Sequence, residues 1–312
     1  LRPDQRFADL YRSEQPLSLG RAIRALVIGD WRGAEAEQRA LSTTANPTAG
    51  ILVPNPLAAN VIDLARARSV LARAGARTVD MTASTLTIAR VSTDPTVEVH
   101  TENVAFTGSD VNFDAVELTA YTLGVLVKMS RELAADAPNA VQVIEDTISR
   151  KLAERIDYFG LRGSGSAQPL GLLNFSGLND EAVSGALSWD NVLDAISLCE
   201  VDNQVPNALI ISPLRVNNLR QLKVNSETNH YATAPPAAAV LSTLVTSNMP
   251  DTTAVLGDFS QFLIGLRQNP TIEVSTEAGT AFEAHQVFIK ISWRGCFNTE
   301  HRDAFALLSA IS

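Results

Sequence analysis

Few residues in this 312-residue chain have the type and spacing that catalysis or ligand binding needs. Gly163-Ser164-Gly165 is a G-x-G turn, whose backbone amides could in principle cradle a phosphate. It follows a predicted helix, however, and does not lie between a strand and a helix N-terminus, so those amides are poorly placed for the task. Glu154 and Asp157 stand three apart on the same predicted helix, a spacing that could pair an acid with a base; with Lys151 and Arg155 beside them they read as its solvated face. His100, His230, His285 and His301 are far apart, none at ligand spacing from another, and read as surface or interface residues. Cys199 and Cys296 are isolated, which argues against a disulfide framework and for two small buried core residues. The sequence contains no G-x-x-x-x-G-K-[ST] loop, H-E-x-x-H, C-x-x-C or G-x-S-x-G elbow. No catalytic, cofactor-binding or metal-ligating residue is therefore assigned, and no cofactor is expected.

The elements that would carry such groups are more informative. Val141, Ile144, Ile148, Leu152, Ile156 and Phe159 recur at three- and four-residue steps, the stripe of one long amphipathic helix. Pro138 suits its start, Asn139 and Gln142 read as a capping pair, and Gly160 and Gly163 read as its stop. At 1.5 Å per residue it would be roughly 35 Å long, the span of a small domain. It leads directly into the glycine-rich run Gly163-Ser164-Gly165-Ser166-Ala167-Gln168-Pro169-Leu170-Gly171-Leu172-Leu173-Asn174.

Ahead of the helix, Leu86 and Ile88, then Val97 and Val99, alternate with polar residues. After the turn cluster Thr107-Gly108-Ser109-Asp110 a returning run alternates through Val111, Phe113, Val116, Leu118, Tyr121, Leu123, Val125 and Val127. The pattern predicts two long antiparallel strands. Parity slips between Phe113 and Val116 and between Leu118 and Tyr121, which predicts bulges or a change of facing partner. A two-stranded ribbon is marginal alone and this one has no helix of its own, so its apolar side is expected to need a neighbour. An ordinary hairpin within one enzyme domain is the alternative.

Residues 1–50 carry seven arginines against six acids, and Phe7, Leu10, Tyr11 and Trp31 need something to pack against, which favours an arm over a frayed end. Leu19, Ile23, Leu26 and Val27 could form a short helix in it. A helix near 57–67 and a strand at Thr78–Met81 follow. Ser188 caps a helix bearing Trp189, Val192, Leu193 and Ile196; Ala208–Ile211 reads as a buried strand, and Pro213 opens another helix. Ala232 to Ala239, with Pro235-Pro236, reads as a mobile surface loop. Strands are expected at Ala254–Phe259, Phe262–Gly265, Thr271–Val274 and Val287–Trp293, with Arg294 before a turn and a last apolar segment at 304–308.

Hydrophobic residues at 46% suffice for a packed core, and the net charge of −9 argues against a nucleic-acid binder relying on a basic patch. No uninterrupted apolar run approaches the ~18 residues of a membrane span, so a soluble protein with no membrane partner is expected. The chain opens at Leu1 without an initiator methionine: either the numbering starts inside the chain or a leading segment was removed.

The order of a two-stranded excursion, a long helix and G-x-G-x-x-Q-P-x-G-L-L-N resembles the major capsid protein of tailed double-stranded DNA bacteriophages, the Hong Kong 97 capsid fold family. The resemblance runs from Ala49 to Ile311. It implies an α+β fold with an N-terminal arm (1–50), a peripheral domain (51–83, 128–187 and 268–312) holding the long spine helix, an extended loop (84–127) and an axial domain (188–267). Gly257-Asp258-Phe259 sits at the family's Gly-Asp-Phe step. It further implies a non-enzymatic subunit of an icosahedral shell. The implied partners are its own copies in hexamers and pentamers, a portal protein, a decoration protein, a scaffold segment and maturation protease, and enclosed DNA without sequence-specific contact. The setting would be the virion, assembled in the host bacterial cytoplasm. Expected contacts between subunits are Phe7, Tyr11 and Trp31 of the arm and Val97, Val99, Phe106 and Phe113 of the loop. Some relatives weld their shells by an isopeptide bond from a loop lysine to an asparagine; residues 84–127 contain no lysine, and Lys128 at the loop base faces inward in the alternation, so that route is expected to be closed. An encapsulin-type compartment shares the fold, and a soluble α+β enzyme or ligand-binding module is the alternative of a different class.

Overall fold

The computed structural model describes residues 21–22, 24–25, 30–42, 51–52, 68–93, 112–132, 140–224, 230–275, 279 and 281–312. The helix expected near 57–67, the turn at 107–110 and the helix start at Pro138 and Asn139 lie outside these. In chain order the elements are α1 (Glu35–Ser42), β1 (Ile51–Leu52), α2 (Val70–Ala74), β2 (Arg77–Asp80), β3 (Thr85–Thr93), β4 (Asn112–Thr119), β5 (Tyr121–Ser130) and α3 (Ala140–Arg162). Then come β6 (Asn179–Gly185), α4 (Trp189–Val201), β7 (Ala208–Ile211), α5 (Pro213–Gln221), α6 (Pro236–Val240), β8 (Ser242–Val245), β9 (Ala254–Gly257), β10 (Phe262–Ser275), β11 (Gln286–Thr299) and β12 (Phe305–Ile311). Short 3₁₀ turns occupy Leu172–Asn174 and Phe259–Gln261. This is the expected α+β composition.

Two compact units emerge: one from Leu1–Ala65, Gly124–Lys151 and Pro270–Trp293, the other from Arg66–Leu123, Leu152–Asn269 and Arg294–Ser312. In the first, β1 runs antiparallel to β10, with Ile51 opposite Val274. Val287, Ile289 and Ile291 of β11 are buried, and the Lys128 ammonium lies 5.0 Å from the Phe288 ring centroid. Burying the apolar face of a strand is the main favourable term here, at about 25 cal/mol per Å² removed from water.

In the second unit a five-stranded sheet has the order β6-β12-β9-β7-β8. Alternation sends Leu209, Ile211, Leu256, Ala306 and Leu308 to one face, where α4, α5 and α6 cover them with Val192, Ile196, Val216, Leu219 and Ala238. Ser188 caps α4, as the sequence predicts, in a reciprocal pair with Asn191, and Pro213 opens α5 as expected, with Ser212 as its cap. The chain near the other face is aromatic: Phe259 and Phe305 meet edge-on with centroids 5.3 Å apart, and Phe262 lies 6.1 Å from Phe297.

The structure corrects several sequence expectations. The returning strand does not run unbroken to residue 127: β4 ends at Thr119, and β5 joins β11 in another sheet, so the parity slip after Leu118 is a change of partner. The ribbon base is satisfied within its own chain, because Val116 and Leu118 are buried and Leu118 packs with Met81 and Cys296. Pro236 opens the helix α6, with Ala238 buried, where a mobile loop was expected. Proline preorganises a first helical turn, and three alanines continue it. Arg294 lies inside β11 and not before a turn, and β10 runs through Pro270 as one strand where two were expected.

Candidate functional site

The G-x-G-x-x-Q-P-x-G-L-L-N run folds into a loop that closes on itself. Gly163 N–H donates to the Phe159 carbonyl at 3.0 Å, ending α3, and the Gly163 carbonyl accepts from Gly171 N–H at 2.8 Å. The Asn174 side-chain amide donates to the carbonyls of Gly163 at 2.8 Å and Arg162 at 3.2 Å. A Cβ on Gly163 would collide with the Pro169 carbonyl oxygen, and one on Gly171 with the Gly163 amide, so both positions need glycine because backbone meets backbone. The Gly163 and Gly171 amides are consumed inside the loop, and the motif is a joint.

Gly160, expected to stop the helix, lies within α3, and a Cβ there would run into the Leu71 side chain with Phe297 at 3.3 Å. Asp157 is a second correction. It is buried, not solvated, and caps α2: its carboxylate accepts from the Ser69 hydroxyl at 2.6 Å, Val70 N–H at 2.8 Å and Leu71 N–H at 3.2 Å. Burial pushes this carboxyl above the usual aspartate range, while the three donors pull it back. Glu154 is exposed and shares no site with it. The sequence hides this role because a buried capping aspartate looks like any other charge on a helix. Asn207 holds the far end of α2: it donates to the Ala74 carbonyl at 3.2 Å and accepts from Phe259 N–H at 3.1 Å. Arg215, also buried, donates to the carbonyls of Asp251, Ser312 at 2.6 Å and Ile311 at 3.4 Å, anchoring the end of β12.

A cleft of about 590 Å³ in the second unit is lined by Glu117, Thr119, Ser164, Ser166, Asn298 and Arg302 among others. Two of its polar side chains are engaged in structure. Asn298 donates to the Glu117 carbonyl at 2.8 Å, and Arg302 donates to the Ser176 carbonyl at 2.6 Å and its hydroxyl at 2.9 Å. Cys296 borders it, but burial pushes that thiol, like Cys199, up to about 12, so neither is a nucleophile near neutral pH. Among the described residues no group of three His, Cys, Asp or Glu could hold a metal, and no helix is long and apolar enough to cross a membrane.

Of the expected contact residues, Phe7, Tyr11, Val97, Val99, Phe106 and, among the histidines, His100 lie outside the described residues. Trp31 is half-buried, and its carbonyl accepts from Ala34 N–H at 3.0 Å ahead of α1. Phe113 stands on β4 opposite Val91. Trp31 belongs to the first unit and Phe113 to the second.

A long helix, a two-stranded ribbon and polar side chains turned to holding backbone define a structural protein whose surfaces matter more than any pocket. The chain belongs to the phage capsid family, whose model matches residues 49–310. Solved structures agree on the fold. The capsid of a native GTA particle computed with C5 symmetry superposes with a TM-score of 0.64 at 18% identity, covering 78% of this chain and 91% of that one. Structures from Microbacterium phage Oxtober96 and Mycobacterium phage Ogopogo each superpose with a TM-score of 0.61, at 16% and 19% identity; both cover 78% of this chain, and 91% and 92% of their own. No curated protein matches the sequence. The protein is a structural, non-enzymatic component of a capsid shell with the Hong Kong 97-like fold.

Proposed function

We propose that this chain is the major capsid subunit of a tailed double-stranded DNA phage, whose copies assemble as hexamers and pentamers into an icosahedral head. The observation that carries the reading is the family match over residues 49–310, most of the 312-residue chain. Partners beyond its own copies are a portal protein, a decoration protein, and a scaffold segment with its maturation protease during assembly in the host bacterial cytoplasm. The DNA is enclosed without sequence-specific contact, in keeping with a net charge of −9. The arm, peripheral, loop and axial divisions given above supply the parts of such a subunit, with Trp31 and Phe113 among its contacts. Electron microscopy of the purified chain tests the reading: closed shells are expected, and a discrete dimer or tetramer would overturn it.

A further inference from the structure

Arg77 and Arg90 of the second unit face the carboxylates of Glu300 and Asp114. Arg155 and Arg162, in the last turns of α3, do not: both are exposed, and among the described residues neither forms an ion pair with an acid. Each lies instead over the Tyr158 ring, with its guanidinium carbon 5.6 Å and 5.5 Å from the centroid. The helix dipole favours an arginine in the last turn, which accounts for Arg162 but not for Arg155 two turns earlier. Little nearby in the chain neutralises them. Between Leu152 and Asn179 the one exposed acid is Glu154, because Asp157 is buried on the cap of α2, and from Tyr158 to Asn179 there is no acid of any kind.

Positions 155, 158 and 162 step by three and four residues, so the three side chains share one stripe of the helix. The two arginines are two turns apart, about 10.5 Å along the axis. That span is close to the ~12 Å width of the major groove of duplex DNA, so each guanidinium meets a different phosphate. An aromatic face holds a guanidinium through its charge and takes none of its N–H donors, whereas a carboxylate consumes them. The planar fork stays open to a phosphate. Ser164 and Ser166 follow on the loop, both exposed, and hydroxyls are common donors to phosphate oxygens.

We propose that Arg155 and Arg162, held on Tyr158, form a surface that takes the phosphate backbone of duplex DNA. The inference rests on the shell reading above and names the part of the subunit that meets the enclosed genome. Contacts to phosphates carry no base sequence, so the surface accepts any duplex. With a net charge of −9 the chain as a whole repels DNA, and the contact is local and weak for one copy. Repetition over many linked copies makes it count.

Retention of the unassembled full chain on duplex-DNA cellulose, read from ~20 to ~80 mM salt, tests it. Two neutralised phosphates give a slope of about −1.8 in log retention against log salt, a fall of about twelvefold over this range. Arg155→Gln with Arg162→Gln should cut retention at ~20 mM salt at least about fivefold and bring the slope near zero. Arg155→Lys with Arg162→Lys should keep the slope. Arg220→Gln with Lys223→Gln removes the same charge from exposed positions elsewhere and should leave the slope unchanged. Circular dichroism accompanies each variant; if the glutamine pair unfolds the chain, each single change replaces it and must flatten the slope by about 0.9. A parent that is not retained, a glutamine pair retained like the parent, or an Arg220 and Lys223 pair that loses as much would overturn the surface. Equal retention on immobilised poly-glutamate, lost in the same pair, would assign it to an acidic protein segment and overturn the DNA reading. Closed shells from a parent that is not retained would sink this surface alone. A parent retained through these arginines that never closes into shells would leave the surface standing and overturn the shell reading.

Discussion

At the residue scale, the polar groups that look most like chemistry hold backbone in place. Asp157 is the clearest case, with its carboxylate accepting from one hydroxyl and two amides at the start of α2. Asp157→Asn keeps the shape but turns one acceptor into a donor facing those donors, so at least one buried N–H or O–H loses its partner. The expected cost is about 1–3 kcal/mol of unfolding free energy, measured by urea denaturation, and an unchanged midpoint would show that the cap is dispensable. The cysteines supply a second test. With both thiols pushed up to about 12, the thiolate fraction at pH 8 is roughly one in ten thousand, and both sulfurs are buried. Native protein should take no maleimide over an hour by mass spectrometry and take two in denaturant. Rapid labelling of native chain would place a thiol at the surface.

Among the elements, α3 was legible because a long stripe at helical period leaves no other structure, and the caps of α4 and α5 because Ser and Pro act locally. The strand β6 was not: Asn-Asp-Glu-Ala-Val-Ser-Gly has one large apolar residue, and an edge strand facing water needs no more. Asp157 and Gly160 were misread for a related reason, since their roles depend on Leu71 and Ser69, some ninety residues away in sequence. The ribbon was read correctly as two strands, yet its base proved self-sufficient. Leu118 is fully buried against Met81 and Cys296, and across the ribbon base Arg90 donates to the Glu300 carbonyl at 3.0 Å. Leu118→Ala should therefore cost about 2–5 kcal/mol of subunit stability, seen in the unassembled chain by thermal or urea unfolding. A loss confined to assembly, with the free subunit unchanged, would return the ribbon to its neighbour's account.

Taken whole, the chain has only four lysines, Lys128, Lys151, Lys223 and Lys290, and none in residues 84–127. An amide weld between subunits needs a lysine amine brought free and deprotonated to a carboxamide or carboxylate. Lys128, just past that stretch, has its ammonium over the Phe288 ring, and Lys290 sits 3.1 Å from the Glu273 carboxylate, so each already has a partner within its own chain. With both thiols buried, the cysteines give no route to a cross-link either. On the shell reading proposed above, copies hold together by burial and strand pairing, each contact modest but repeated in every subunit of a closed array. Particles boiled in denaturant without reductant should release a single species of 33.4 kDa on a denaturing gel. A ladder of multiples would overturn the expectation, and mass spectrometry of the slower bands would show which lysine or cysteine had formed the link.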